Sequence, residues 1–352
     1  MQIKKFRKSE FINREKEIKF FLDYFNEVPE RILWVYGPKS TGKTTLIEYI
    51  VENHLLKDKS YNVKYINFRG KMVTNYDNFI SAFIKPDTKE NFFKDVNLTL
   101  DLTFIKINSK LYERIKKKEY DFFEAMEDEF LSKARDKKSI LIIDEIQTLQ
   151  DIYLNGGRLL LNEFLNFCVR LTKETHSSHV VILTSNTLFL DKIYNNSKLK
   201  VTSKFKLIDH LEYHPINKWL KTKGFSKEDI DLIYEYFGGS SAHIKKLLEE
   251  YKYFNSIKEY LEEETEIAKN EIIFEKNRIT NKEFNLFLEI AKIIVNRGYY
   301  IFDEEDEEKR KNLKEVIERF CDVEILFFDP LKNLIRANSR IYIKAFEKIL
   351  NS

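Results

Sequence analysis

The chain has 352 residues, of which 43% are hydrophobic and 33% charged, and a net charge of +3. That balance excludes a disordered chain, and so small a net charge offers no general nucleic-acid surface. No apolar run reaches the roughly 18 residues of a membrane span, and the basic start at residues 1–8 lacks an apolar signal core, so the expectation is a cytoplasmic protein of two or three domains with no membrane partner.

In chain order, Ile18, Phe21, Leu22 and Phe25 share one face of an amphipathic helix predicted over 13–27. The apolar run Ile32–Tyr36 reads as a strand and leads into Gly37-Pro38-Lys39-Ser40-Thr41-Gly42-Lys43-Thr44, which fits G-x-x-x-x-G-K-[ST] in full. The helix-compatible run Thr44–Ile50 follows, so strand, glycine loop and helix stand in the order this pattern requires. Gly37 and Gly42 permit backbone angles that turn successive N–H groups to one concave side, an anion nest. Pro38, Lys39, Ser40 and Thr41 complete the loop, and Thr45 lies in the first turn of a helix whose dipole also favours anions. Lys43 is placed to reach the β- and γ-phosphates of a nucleoside triphosphate, and Thr44 to give its hydroxyl to Mg2+.

A strand is predicted over Val63–Phe68. Residues 70–137 are rich in Lys, Glu, Asp and aromatics. Their basic block, Arg114–Lys118, is followed by Glu119, Asp121 and Glu124 and reads as a solvated helix face. The aliphatic run Ile140-Leu141-Ile142-Ile143 then ends in Asp144-Glu145, the pattern of a buried parallel strand. Asp144 falls at the strand's C-terminal end, where open α/β sheets bind ligands, and is the candidate for holding Mg2+. Glu145 is the candidate for orienting and deprotonating a water. Val180–Leu183 is another strand, followed by Thr184, Ser185 and Asn186. Asn186 is the first candidate for a γ-phosphate sensor, with Ser185 and Thr184 next; a strand that simply ends in turn residues is the other reading. A strand between the phosphate loop and the acidic strand, and a glutamate after the aspartate, indicate the additional-strand class of P-loop ATPases. No N-K-x-D-type guanine-reading motif follows Asp144, so ATP is expected rather than GTP.

Residues 205–208 form a last predicted strand. Three lid helices follow: one starts at His214-Pro215-Ile216, one is capped by Ser226, and one begins after Gly238-Gly239 with Ser240 or Ser241 as its cap. His243, Lys245 and Lys246 read either as a solvated face or as a second sensor. A long charged helix spans 254–277, and Thr280 caps the next. The acidic run Asp303–Glu308 before Lys309–Lys311 suits a helix start. Glu324–Phe328 and Leu334–Arg336 make a hairpin, and a final helix covers 339–350. Helices followed by a hairpin suggest a winged-helix-like domain, and many of those bind DNA. Arg340, Lys344 and Lys348 line one helical face with Arg336 just before them, a spacing that suits phosphate contacts. Residues 281–352 nevertheless carry 13 Lys+Arg against 14 Asp+Glu, a net of −1, so a solvated face or a contact with the ATPase domain stands beside the DNA reading. Cys168 and Cys321 lie in helical, apolar contexts and read as free thiols. The fold class expected is thus α/β: a P-loop NTPase parallel sheet over 1–209, a helical lid and linker helix over 210–278, and a winged-helix-like α+β domain over 279–352.

Phe11-Ile12-Asn13-Arg14-Glu15-Lys16-Glu17 resembles the F-x-x-R-E-x-E opening of the archaeal ATPase family, a branch related to AAA+ and STAND ATPases. Asp144-Glu145-Ile146-Gln147 is similar to that family's D-E-x-Q. Phe237-Gly238-Gly239-Ser240-Ser241 is similar to its lid motif G-G-x-P, with Ser241 in place of proline. The resemblance covers residues 10–250 and, more loosely, 323–350. It implies a Mg-ATP-hydrolysing switch that couples nucleotide state to movement of lid and C-terminal domain. It also implies that the helix over 13–27 flanks the adenine, which makes Phe11 and Ile12 candidates for base contact or ordinary core. The family tends to carry a Gly-Arg pair before the strand ahead of the lid, whereas Lys198–Phe205 here has no arginine. Lys200, Lys204 or a residue from another chain would have to supply the charge, and lysine lacks the guanidinium fork. The alternative is therefore a slow or non-hydrolysing regulator that recruits DNA, a protein partner or further copies of itself.

Overall fold

Five parallel strands carry the predicted motifs. The computed structural model describes residues 4–6, 9–12, 14–69, 71–86, 105–153, 159–194, 197–301 and 307–351. Among these the strands are β1 (Lys4–Phe6), β2 (Ser9–Phe11), β3 (Ile32–Tyr36), β4 (Tyr61–Asn67), β5 (Ile84–Pro86), β6 (Ile105–Ile107), β7 (Lys138–Asp144), β8 (Ser178–Leu183), β9 (Ser203–Leu207), β10 (Tyr300–Ile301), β11 (Leu326–Asp329) and β12 (Leu334–Ala337). The main sheet runs β4-β7-β8-β3-β9. The strand inserted between the phosphate-loop strand β3 and the acidic strand β7 is β8. The strand expected from its place in sequence between the two motifs, Val63–Phe68, is β4 and lies at the sheet edge beside β7, because order in a sheet does not follow order along the chain. Register sets Asn67 beside Asp144, Asp144 beside Leu183, Leu183 beside Val35 and Tyr36 beside Leu207, so the C-terminal ends of the strands align. The segments that leave the sheet there converge on one edge.

β3, β7 and β8 are buried on both faces, which is why each reads as a run of consecutive apolar residues, Ile32–Tyr36, Ile140–Ile143 and Val180–Leu183. Leu33, Val35, Ile140, Ile142, Val181 and Leu183 face the helices Glu15–Asn26 and Lys43–Ile50. Trp34, Leu141, Ile143, Val180 and Ile182 face the other way, against Phe79, Phe83, Phe122 and Phe164. The period of two along each strand divides the side chains between the two layers. The short pairs β1–β2 and β5–β6 were not expected; three residues apiece are too few to show a period.

The lid is formed by helices Tyr213–Lys221, Lys227–Phe237 and Ser241–Glu250. Ser226 caps the second by accepting from the Asp229 N–H at 3.1 Å. Helix Ile257–Lys276 leads on to helix Asn281–Arg297, which starts with a capping box between Thr280 and Glu283. Helix Glu307–Asp322, the antiparallel sheet β10-β12-β11 and helix Arg340–Leu350 complete the winged-helix-like unit. Residues 303–306 of the acidic run lie outside the described residues. One hydrophobic core runs through lid and C-terminal unit together, joining Trp219, Phe237 and Leu261 to Phe287, Phe320 and Phe346.

The basic stripe is partly exposed and paired within the chain. Arg336 Nη2 lies 2.8 Å from Asp209 Oδ2 and Arg340 Nη1 donates to the Tyr234 carbonyl at 3.3 Å. Lys344 Nζ lies 2.6 Å from Glu235 Oε1, and Lys348 Nζ 2.6 Å from Glu262 Oε2 and 2.9 Å from Glu266 Oε1. Of these, only Arg336 meets the ATPase domain, at Asp209; Arg340, Lys344 and Lys348 meet the lid and linker helices, a contact not among the readings open from sequence. Cys168 and Cys321 are free thiols, and burial pushes both thiols well above their ordinary range.

Candidate nucleotide-binding site

The loop after β3 is shaped by its neighbours. Ile208 N–H donates to the Tyr36 carbonyl at 2.8 Å, which draws the chain after β9 against the loop's first residue. A Cβ on Gly37 would lie 2.1 Å from the Ile208 carbonyl oxygen, and the backbone there has φ +149°, so only glycine fits. Arg14 Nη2 donates to the carbonyls of Thr41, at 2.7 Å, and Asp209, at 2.9 Å, and so pins the loop to the chain just before the lid. Thr41 Oγ1 donates to the Pro38 carbonyl at 3.0 Å. Lys39 and Ser40 are exposed at the tip, and Gly42 precedes the helix in which Lys43, Thr44 and Thr45 form the first turn.

Lys43 is buried, and its Nζ donates to the carbonyls of Gly37 at 2.9 Å and Pro38 at 2.8 Å. Burial pushes its ammonium down to about 8, while Asp144 and Glu145 pull the other way. Thr44 Oγ1 donates to Asp144 Oδ2 at 2.8 Å, and the Tyr65 hydroxyl donates to the same oxygen at 3.2 Å. Burial raises the Asp144 carboxyl above its ordinary range, against the lowering effect of the Thr44 hydrogen bond. A hydroxyl and a buried carboxylate that has no ion pair among the described residues fit Mg2+, which takes oxygen ligands and completes its shell with phosphate and water.

Glu145 adopts φ 61°, a left-handed conformation rare for a side-chain-bearing residue and common at functional sites. One of its carboxylate oxygens accepts from Arg69 and the other from the Gln147 amide. Gln147 Oε1 in turn accepts from Thr184 Oγ1 at 3.2 Å. Asn186 Oδ1 accepts from the Phe189 N–H at 2.9 Å, so this side chain caps helix Thr187–Tyr194. Its Nδ2 is not engaged in that cap. Asn186 and Ser185 line a cavity of about 380 Å³ with Lys39, Arg69 and Glu145. The C-terminal hairpin closes its far side through Glu324 and Phe327. Lys39 Nζ meets Glu324 Oε2 at 2.5 Å, and behind them the Tyr36 hydroxyl donates to Asp329 Oδ1 at 3.1 Å.

Other sequence candidates lie elsewhere. Phe11 stacks on Tyr49 with ring centres 4.1 Å apart, and Ile12 is buried in the lid core. His243 stacks on Phe237, and its Nδ1 lies 2.7 Å from Ser240 Oγ. Lys246 turns to Glu264 at 2.7 Å, and Lys245 is engaged as well. Lys204 lies over the rings of Phe20 and Tyr24 and 3.6 Å from Glu27, and Lys200 is exposed; neither is in the cavity wall. The lid glycine is necessary at Gly239, where a Cβ would lie 1.7 Å from the Leu211 carbonyl oxygen.

Tyr65, Arg69 and Glu324 touch the candidate site and were not singled out from sequence. Arg69 had a readable signal: it is the first charged residue past a predicted strand, at the ligand-binding edge of the sheet.

Comparison with known proteins places this geometry. Residues 11–247 match the family described as an ATPase domain predominantly from Archaea. The chain is similar to an ATP-binding protein of Methanocaldococcus jannaschii, 31% identical over 97% of this chain and 98% of that one. A second ATP-binding protein of the same organism is 33% identical over 94% of this chain and 91% of its own. Among solved structures, the Walker-type ATPase of Pyrococcus abyssi superposes with a TM-score of 0.60 over 96% of both chains at 13% identity, a likeness of fold.

Proposed function

The chain belongs to the family of ATPase domains found predominantly in Archaea, and from that premise we propose that it binds Mg-ATP, hydrolyses it, and passes the nucleotide state to its C-terminal unit. The observation that carries this reading is the convergence of Lys43, Thr44, Asp144 and Glu145 at the aligned ends of β3 and β7. Lys43 would exchange its two loop carbonyls for phosphate oxygens. When bound, Mg2+ would be held by Thr44 and Asp144 and would neutralise charge on the β- and γ-phosphates. Glu145 takes a proton from the attacking water as the water oxygen bonds to the γ-phosphorus. The bond from that phosphorus to the β,γ-bridging oxygen breaks, and ADP leaves with its electron pair. Phosphate release from wild type and Glu145→Gln tests this: turnover lost in the variant while ATP binding persists is expected. A wild type that binds ATP yet releases no more phosphate than the variant would sink the hydrolytic reading.

Coupling to the C-terminal unit is supported by the hairpin's place in the cavity wall and by its contacts with Lys39 and Tyr36. A second reading, a regulator with slow or no turnover that recruits DNA or a protein partner, is supported by the hold of Arg69 and Gln147 on Glu145 and by the absence of arginine over 198–205. A low-salt gel shift with and without ATP tests the DNA arm.

A further inference from the structure

We propose that Arg69 is the arginine of this ATPase's transition state, supplied in cis from the end of β4 in place of the arginine missing over 198–205; the proposal rests on the hydrolytic reading above. The placement is built. β4 pairs with β7 in a register that ends with Asn67 beside Asp144. Asn67 Oδ1 then accepts from the Arg69 N–H at 2.8 Å, and this turn directs the chain across the end of the acidic strand. The Arg69 side chain is 67% exposed, yet its guanidinium rests on Glu145, a side chain only 11% exposed. It lines the same cavity as Lys39, Ser185 and Asn186, and among the described residues no other arginine is in that wall. Arg14 and Arg336 are committed to Thr41 and Asp209. The charge of Arg69 acts on both Lys43 and Asp144, the groups that flank a γ-phosphate.

An incoming γ-phosphate offers the guanidinium a more highly charged, forked acceptor than a single carboxylate. Arg69 moves to it and releases the carboxylate of Glu145 to accept the water proton. Arg69 keeps its own protons throughout. It stabilises the charge that builds on the γ-phosphoryl oxygens and on the leaving ADP oxygen.

The test uses the full chain and compares binding of fluorescent ADP, trapping of ADP with aluminium fluoride, and phosphate release. Arg69→Ala is expected to bind ADP within about twofold of wild type, to fail to trap aluminium fluoride, and to lose at least about 10³-fold in kcat, the scale of an arginine finger. Arg69→Lys should recover no more than about tenfold, because an ammonium lacks the fork. If Arg69→Ala traps aluminium fluoride like wild type, or turns over at the wild-type rate or faster, Arg69 only restrains Glu145 and the proposal is overturned. Should Arg69→Ala fail to bind ADP, Arg69→Gln takes its place under the same criteria, and a glutamine variant that cannot bind ADP either also counts against the proposal. A wild type that binds ADP but neither traps aluminium fluoride nor releases phosphate overturns the hydrolytic reading itself, an outcome distinct from a failure confined to the variants.

Discussion

Tyr36→Phe isolates one contact between the site and the C-terminal unit. Tyr36 ends β3, directly before the phosphate loop, and its hydroxyl donates to Asp329 Oδ1 at the end of β11. The two residues are 3% and 2% exposed, so water does not replace the bond. Burial first, then the Asp329 charge, raises the phenol's pKa, so it remains a neutral donor across the working pH range. The substitution keeps the ring and its packing and removes only the donor. A hydrogen bond to a charged group contributes about 1.5–3 kcal/mol net. Asp329 keeps a second donor, the Leu331 N–H at 3.2 Å, which puts the expected loss at the lower end, about 1.5–2 kcal/mol. Urea unfolding should show a lower midpoint at an unchanged slope. Hydrogen exchange should locate the change: amides of β11 and β12 should exchange roughly ten- to thirtyfold faster, with those of β7 and β8 shifted less, since each factor of ten is about 1.4 kcal/mol. A stability loss below about 0.5 kcal/mol, or uniform acceleration through the sheet, would refute the argument that this bond ties the hairpin to the phosphate-loop strand.

Nucleotide affinity should depend on Lys43: with its ammonium near pH 8 in the free protein and held higher by phosphate in the complex, affinity is full below pH 7 and about tenfold weaker at pH 9, so a dissociation constant flat across that range counts against the assignment. Gly37→Ala should weaken ADP binding by about a hundredfold or more in a fluorescence titration, because the new Cβ meets the Ile208 carbonyl, and affinity within twofold of wild type would disprove the steric account. Lys344→Ala with Lys348→Ala removes partly exposed pairs worth about 0.2–1 kcal/mol each, so the unfolding midpoint should fall modestly, and by less in 0.5 M salt than at low salt. If the same double variant unfolds like wild type but loses a gel shift that wild type gives, the stripe serves DNA rather than the lid. Glu324→Gln frees Lys39 from a pair that is 52% and 37% exposed, and ATP should bind about two- to fivefold more tightly; unchanged affinity shows that the pair does not compete with phosphate.

Much of the site was legible because its requirements are local. A phosphate loop needs glycines, a lysine and a hydroxyl at fixed spacing on one turn of chain, so Gly37 to Thr44 announce themselves. Asp144 and Glu145 follow from a buried aliphatic run that ends at the ligand edge of a parallel sheet. Helix starts at Ser226 and Thr280 were legible for the same reason, since a cap bonds to an N–H three residues on. Asn186 was legible as a polar strand end, but not as the cap of the helix that follows it.

Arg69 and Glu145 are 76 positions apart, and Tyr36 and Asp329 are 293 apart. No periodicity or spacing links such residues; strand order and register bring them together. The basic stripe shows the same division. Its helical spacing was plain, yet a face free for phosphates and a face paired with carboxylates share one pattern of lysines and arginines. The choice fell to packing, because the core shared by lid and C-terminal unit presses that face onto Glu235, Glu262 and Glu266. The chain alone thus specified which chemical groups are present and which strand or helix carries each. Folding decided which opposite charges meet, because a Coulomb contact depends on distance in space and the sequence records distance along the chain.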